Sequence, residues 1–218
     1  MSCFAYYNSL KGIGIVLLKY DIFSLKAKRK LYCIISGMRL ILIRHGETEE
    51  NANHIVSGID ESKLTKKGIS QAKKAGEELK EKYKIDMIFC SPLKRCVDTL
   101  ENILCEYPFE GQIFMSKLIE ERDFGEYTGM ENVLINWDDI NKINKINREM
   151  EVESLPELEK RINLFLEDLK LEDENSTVLV VSHDWAIKMM VSKITGKDLD
   201  EIKVDNASIN EFEIDYSK

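Results

Sequence analysis

Short apolar runs alternate along this chain with longer stretches in which apolar residues recur every three or four positions. A short apolar run is typical of a buried strand, and the three-to-four spacing is typical of an amphipathic helix. The predicted strands are 40–43, 86–90, 112–115, 177–182 and, at a sheet edge, 208–214. The predicted helices are 64–84, 91–104, 131–147, 156–170 and 184–195.

Polar residues and glycine at the ends of these stretches predict where the helices start and stop. Thr65 can cap the helix over 64–84, and Ser91 with Pro92 is a typical cap followed by a first-turn proline. Gly196 follows the helix over 184–195 and predicts its C-terminal stop. The stretch 131–147 is rich in Asn, which favours caps and turns, so its helix is the least determined.

Strands and helices alternate from Met38 onward, and this order predicts the fold class. The pattern indicates an α/β domain with three layers, α/β/α, and a mainly parallel sheet that is covered on both faces. We find no internal repeat and no linker that would divide residues 38–218. We therefore expect one domain over 38–218, preceded by an appendage over 1–37.

Residues 1–37 differ in character from the rest of the chain. The apolar run 13–18 is too short to span a bilayer, and the basic stretch 26–30 is the wrong flank for a signal peptide. Met38 lies directly before the first predicted core strand. We expect 1–37 to be a loosely attached appendage or a misassigned start, with a membrane-surface segment as the alternative. We expect no membrane partner for the domain itself.

Charge and cysteine content narrow the function classes. Residues 1–37 carry six Lys/Arg against one Asp, a net +5, and the whole chain carries −8, which leaves −13 for the remainder. An acidic body argues against nucleic acid as a partner, since phosphate backbones need a basic face. The five cysteines form no metal-binding spacing, so we predict reduced thiols, a cytoplasmic protein, and neither metal nor other cofactor. Cys90 and Cys96 lie in apolar settings and are predicted core residues.

Two of the three histidines follow apolar strands at corresponding places. The run 40–43 leads into Arg44-His45-Gly46, and the run 177–181 leads into Ser182-His183. In open α/β sheets, ligands bind at the carboxyl ends of the strands. Both histidines are therefore predicted at a site, although an isolated Arg-His-Gly is also common in ordinary loops.

Several short motifs in fixed order resemble those of the histidine phosphatase superfamily, which includes cofactor-dependent phosphoglycerate mutases and many small phosphatases. The resemblance runs from Met38 to the C-terminus and implies a phosphoglycerate-mutase-like version of the α/β fold. The motifs that carry it are Arg44-His45-Gly46-Glu47-Thr48, Asn51, Ser57-Gly58-Ile59-Asp60, Leu64 to Gly68 with Gln71-Ala72, Ser91 to Arg95, Thr99, Glu121 to Gly125, Gly129 and Ser182-His183.

The chemistry of phosphoryl transfer assigns expected roles to these residues. An imidazole with an ordinary pKa of ~6.5 is largely neutral at pH 7, so His45 is the candidate nucleophile for a phosphohistidine intermediate. The resemblance gives the matching histidine the same role. The guanidinium groups of Arg44 and Arg95 can bind phosphate oxygens in pairs, and His183 is a further donor. The alternatives are that His45 is a core histidine whose ring is satisfied by hydrogen bonds, and that Arg44 and Arg95 are ordinary surface residues.

The departing alkoxide needs a proton, and Glu121 is the predicted donor. A carboxyl group in a partly closed pocket can have a raised pKa that keeps it protonated. Glu120 is the competitor; the resemblance favours Glu121, because it lies three residues before Phe124-Gly125. Asn51, Ser57 and Gly58 resemble positions near the phosphate, and each could equally be a turn residue.

Two departures from the family pattern bear on function. Asp184 follows the second histidine, at a position where the family commonly has glycine. It is either a first-turn carboxylate that the helix dipole favours or a group that repels extra negative charge on a substrate. The segment 129–183 is also shorter than the corresponding segment of mutases, and it has no cluster of basic residues that could bind a bisphosphate. This favours hydrolysis, because a mutase must shield its phosphorylated intermediate from water.

We therefore expect a metal-independent phosphatase that acts on a small phosphorylated metabolite, with α-ribazole 5′-phosphate as one candidate substrate. The alternatives are a phosphoglycerate mutase and a weakly catalytic protein that binds a phosphorylated ligand. The sequence leaves the oligomeric state open, with a homodimer among the states it allows.

Overall fold

A computed structural model describes residues 37–141, 151–170, 172 and 175–214, and these contain a five-stranded sheet with helices on both sides. The strands are β1 (Met38–Arg44), β2 (Met87–Cys90), β3 (Gln112–Met115), β4 (Thr177–Ser182) and β5 (Ile209–Ile214). The helices are α1 (Glu49–Ala52), α2 (Lys66–Lys82), α3 (Lys94–Glu106), α4 (Trp137–Asn141), α5 (Leu155–Leu169) and α6 (Asp184–Thr195).

The sheet order brings the two histidine-bearing strands side by side. The order is β3-β2-β4-β1-β5, in which β5 is antiparallel to β1 and the other pairs are parallel. Arg44 pairs with Ser182 at the carboxyl ends of β1 and β4, so the next residue on each strand is a histidine. The predicted mainly parallel α/β sheet with an edge strand near the C-terminus is confirmed.

Alternate residues of the central strands pack into two separate hydrophobic cores, one on each face of the sheet. Leu40 and Leu42 pack with residues of α5 and α6, whereas Ile41 and Ile43 pack with residues of α2 and α3. All four side chains are fully buried. A strand that is covered on both faces needs apolar residues at every position, which explains the continuous apolar run at 40–43. The predicted three-layer arrangement is confirmed.

Most helix boundaries agree with the sequence, including the Thr65 cap of α2, whose hydroxyl accepts from the Gly68 N–H at 3.0 Å. Gly196 ends α6 with a φ of 73°. The prediction for α3 is wrong at its start, because the helix begins at Lys94 and Ser91 does not cap it. The Ser91 hydroxyl instead lies 2.8 Å from a ring nitrogen of His183.

The predicted helix over 131–147 is wrong for its first part. Residues 132–134 form a single 3-10 turn, and α-helix is present only over Trp137–Asn141, while 142–147 lie outside the described residues. A local pairing prevents the helix, because the Asn132 N–H donates to the His54 carbonyl at 2.8 Å. The Trp137 indole also donates to the Asn132 side chain at 2.8 Å.

The predictions for the N-terminal segment, including the apolar run 13–18, concern residues outside those that the structure describes. Cys90 and Cys96 are buried, as predicted. Within the described residues, the helices fall short of the length and apolar character that a bilayer span requires.

Candidate active site

The carboxyl edge of the sheet gathers the residues that the sequence singles out. The rings of His45 and His183 lie with their centroids 5.2 Å apart, in an edge-on arrangement. Arg95 reaches the same point from the first turn of α3, and Glu121 reaches it from the loop that follows β3. All four side chains are buried, and none is more than 8% exposed. The ends of β1 and β4, the first turn of α3 and the loop after β3 thus place these four side chains in one small volume.

The His45 ring is held in one tautomer. Nδ1 lies 2.9 Å from the Gly46 carbonyl oxygen, which can only accept, so Nδ1 carries the proton and Nε2 keeps its lone pair. Burial, with the charges of Arg95 and Arg44, holds the pKa of His45 well below its ordinary value of 6.5. His45 is therefore neutral at pH 7 and has a free nitrogen lone pair for nucleophilic attack.

The backbone around His45 is fixed by two side chains whose role the sequence analysis missed. The Asn206 amide donates to the His45 carbonyl at 3.0 Å and to the Asn51 side chain at 3.1 Å. The Thr99 hydroxyl accepts from the Gly46 N–H at 2.9 Å. Thr99 lies within a recognised motif, but Asn206 comes from the loop before β5, where only its turn-forming character could have given a signal.

The hydrogen bonds of His183 define its tautomer as well. Arg95 Nε always donates and lies 3.1 Å from Nδ1, so the proton of His183 is on Nε2, which donates to the Ser91 hydroxyl at 2.8 Å. Burial lowers the pKa of His183 far below 6.5, and neighbouring Arg95 and His45 lower it further. His183 is therefore neutral here, and both of its ring nitrogens are hydrogen-bonded within the protein, so its predicted bond to phosphate would require Nε2–H to leave Ser91.

Arg95 is the most heavily engaged cation of the site. Besides His183, its guanidinium donates to the carbonyls of Gly58 at 2.6 Å and Asp60 at 2.7 Å, and to the Ser62 hydroxyl at 3.5 Å. These four bonds leave one of the five guanidinium N–H groups for a ligand. A two-pronged grip on phosphate would require Arg95 to release one of the loop carbonyls.

Arg44 lies at the more open side of the site, with its side chain 20% exposed. Its Nη1 donates to the Val204 carbonyl at 2.8 Å and lies 3.4 Å from the Asp184 carboxylate. Asp184 also binds Lys188 at 3.0 Å. The carboxylate that replaces the common glycine is therefore paired with two cations, one of which is a predicted phosphate ligand.

The Glu121 carboxylate lies at the start of α6, against the two residues that follow His183 in the chain. The Glu121 carboxylate accepts from the backbone N–H groups of Arg122 at 2.9 Å and of Asp184 and Trp185 at 3.1 Å each, which places it on the N-terminus of α6. Burial raises the pKa of Glu121, as does the charge of Asp184. The N–H donors oppose this shift, because they favour the charged carboxylate.

Asn51, Ser57 and Gly58, which the sequence predicts near the phosphate, lie in turns at the carboxyl edge of the sheet. Asn51 caps the short helix α1 together with Thr48. The Ser57 carbonyl accepts from the Asp60 N–H at 2.9 Å, and Gly58 has a φ of 49° and offers its carbonyl to Arg95. Each therefore has a turn or capping role, and contact of any of them with phosphate remains a prediction.

The donor set of the site suits an oxyanion better than a metal ion. Over the residues that the structure describes, His, Cys, Asp and Glu side chains do not form a group of three or more that could hold a metal. Guanidinium and imidazole N–H groups, by contrast, are typical ligands of phosphate.

Comparison with known proteins gives a consistent result. Residues 40–218 match the Histidine phosphatase superfamily (branch 1). Phosphoserine phosphatase 1 of Hydrogenobacter thermophilus is 32% identical over 180 residues, which cover 78% of this chain and 84% of that protein. A 2,3-bisphosphoglycerate-dependent phosphoglycerate mutase of Mesorhizobium japonicum is 30% identical over 178 residues, covering 75% and 84%.

A solved structure shows the same architecture. A mutant phosphoserine phosphatase from Entamoeba histolytica, in complex with phosphoserine, superimposes with a TM-score of 0.68 at 26% identity. The match covers 80% of this chain and 90% of that one.

Proposed function

Because this chain belongs to branch 1 of the histidine phosphatase superfamily, we propose that it hydrolyses a small phosphomonoester through a phosphohistidine formed on His45. The observation that carries the proposal is the His45 ring itself, which is buried, neutral and oriented with Nε2 free. A neutral imidazole with a free lone pair is what attack on phosphorus requires.

In the first step His45 Nε2 bonds to phosphorus and the bond from phosphorus to the leaving oxygen breaks. Arg44, the remaining N–H of Arg95 and the Nε2–H of His183, once it leaves the Ser91 hydroxyl for the substrate, stabilise the charge on the phosphoryl oxygens. The carboxyl proton of Glu121 passes to the leaving oxygen. In the second step water attacks phosphorus, Glu121 takes a proton from that water, and the bond between phosphorus and nitrogen breaks to release phosphate.

Hydrolysis is proposed over mutase chemistry on grounds of charge. Arg44 and Arg95 together balance one phosphate dianion, while the Asp184 carboxylate is already paired with Arg44 and Lys188. A bisphosphate cofactor would bring a second phosphate dianion that needs further cations. The mutase alternative keeps support from the 30% identity to a phosphoglycerate mutase, and product analysis separates the two reactions.

Two substrates deserve the first trials. Phosphoserine is suggested by the names of similar proteins, and α-ribazole 5′-phosphate by the resemblance of the motifs to compact phosphatases. Both are small monoesters with an alkoxide leaving group, so both require the proton that Glu121 is proposed to supply.

The test is a phosphatase assay with EDTA present, comparing the wild type with His45→Ala. The panel contains p-nitrophenyl phosphate, phosphoserine, α-ribazole 5′-phosphate and 3-phosphoglycerate. We expect metal-independent release of phosphate that is lost in His45→Ala. Activity that survives the substitution would refute the phosphohistidine route, conversion of 3-phosphoglycerate to its isomer would favour the mutase, and no turnover of any substrate would favour a binding protein.

A further inference from the structure

The loop that carries Glu121 is held from the side of α5 by one arginine. Arg161 Nη1 donates to the carbonyls of Leu118 at 2.9 Å and Glu120 at 2.7 Å, and Nη2 donates to the carbonyl of Glu121 at 2.9 Å. A single guanidinium therefore spans four consecutive residues of the loop. One of its three carbonyl partners belongs to the proposed proton donor itself.

Glu153 fixes the orientation of that guanidinium. Its two carboxylate oxygens accept from Arg161 Nε at 2.6 Å and Nη2 at 2.8 Å, a paired geometry that sets the plane of the group as well as its position. The two side chains are only 18% and 14% exposed. Since the pair is largely shielded from solvent, it is a firm anchor for the loop.

The five bonds of Arg161 use every N–H of its guanidinium. Arg161 therefore has no donor left for a phosphate oxygen, unlike Arg95. Its guanidinium therefore contacts the loop backbone and Glu153, and its positive charge is among the causes that lower the pKa of His183.

Glu153 adds its own bonds to the same loop. Its backbone N–H donates to the Asp123 carbonyl at 2.9 Å, and its carbonyl accepts from Arg122 Nε at 2.7 Å. The loop is thus attached to the segment before α5 as well as to α5. On the opposite side, the N-terminus of α6 holds the carboxylate of Glu121.

We propose that Arg161 is a positioning residue that sets where the Glu121 carboxyl group stands relative to the leaving oxygen. This inference rests on the proposed function, in which Glu121 donates the proton. A general acid must lie within hydrogen-bond reach of the atom it protonates, so a small displacement of the Glu121 backbone weakens proton donation first. Arg161 therefore matters most for substrates that need the proton.

The test compares two leaving groups in Arg161→Met. Glycerol 2-phosphate releases an alkoxide that needs protonation, whereas p-nitrophenyl phosphate releases a phenolate that leaves without it. We expect kcat/KM to fall by about a hundredfold on glycerol 2-phosphate and by less than about threefold on p-nitrophenyl phosphate. Equal losses on the two substrates would mean a general structural role and would overturn the inference.

Lys193→Met is the matched control. Lys193 on α6 pairs with Glu159 on α5, so this change also removes an ion pair of α5, but away from the Glu121 loop. We expect the ratio of the two kcat/KM values to stay at the wild-type value. A ratio that shifts as in Arg161→Met would show that any loosened α5 produces the effect, against a specific role for Arg161.

A double-mutant cycle tests whether Arg161 works through Glu121. Glu121→Gln should give the same leaving-group dependence, and adding Arg161→Met should cause little further loss on glycerol 2-phosphate. If the loss in the double variant equals the product of the losses in the two single variants, Arg161 and Glu121 act independently, and the inference is contradicted.

Arg161→Lys keeps the positive charge but cannot make the five bonds, and it provides the same comparison if Arg161→Met fails to fold. We expect an intermediate loss that is again larger on glycerol 2-phosphate. Wild-type values on both substrates would show that charge alone is sufficient and would overturn the inference. Activity that survives His45→Ala would instead refute the proposed function, so the two failures are distinguishable.

Discussion

The substitution Gly46→Ala tests how closely the loop after β1, which carries His45 and Gly46, must lie against α2. A Cβ atom at Gly46 would stand 2.5 Å from the Gly68 carbonyl oxygen, where ordinary contacts begin at 3.4 Å. The loop must therefore move by about 0.9 Å to accept the methyl group. The preceding residue is His45, whose Nδ1–H donates to the Gly46 carbonyl, so the ring moves with the loop.

The expected loss follows from this displacement. A misplacement of about 1 Å at a reacting group can lower the rate by about a hundredfold, which corresponds to about 2.7 kcal/mol in the activation barrier. We expect kcat/KM of Gly46→Ala on p-nitrophenyl phosphate to fall by that amount per folded molecule. The fraction folded is measured by circular dichroism at the assay temperature.

Gly76→Ala separates this effect from loss of stability. A Cβ there would also stand 2.5 Å from a carbonyl oxygen, that of Ile103, in the contact between α2 and α3. Both variants should lose about 1–3 kcal/mol of unfolding free energy through overpacking. Only Gly46→Ala should lose activity per folded molecule. Wild-type activity in Gly46→Ala, or an equal loss in Gly76→Ala, would refute the claim that loop position limits the reaction.

Three further predictions concern the ionisable groups. Glu121→Gln should lower kcat on an alkyl phosphate by about a hundredfold or more, because the proton donor is lost, while Glu120→Gln should change it little; the reverse order in a steady-state assay would overturn the assignment. The His45 imidazole should stay neutral well below pH 6.5, and an NMR titration midpoint at or above 6.5 would contradict the effect of its burial. Asp184→Asn should lower the pKa of Glu121 by removing a nearby negative charge, so the alkaline limb of the kcat profile should move to lower pH; an unmoved limb would count against this coupling.

The parts of the site that belong to regular elements could be predicted from sequence. His45 and His183 each follow a continuous apolar strand, and adjacent parallel strands place their carboxyl ends together. Local patterns were sufficient there because the strand period and the sheet rules determine where the next residue goes.

The parts that depend on tertiary partners could not be predicted. Ser91 has every local feature of a helix cap, but its hydroxyl bonds to His183, which lies 92 residues further along the chain. Arg161 looks like any charged residue of an amphipathic helix, because the four residues that accept its five hydrogen bonds lie in segments whose paths the sequence does not define. Asn206 likewise reaches His45 across 161 residues.

The central claim of this account is that His45 carries the phosphoryl group during turnover. The most direct measurement is mass spectrometry of enzyme that is mixed with p-nitrophenyl phosphate and quenched in alkali, which preserves phosphohistidine. We expect one added phosphoryl group on the peptide that contains His45 in the wild type, and none in His45→Ala. A turning-over enzyme without phosphate on His45, or with phosphate on another residue, would contradict the account.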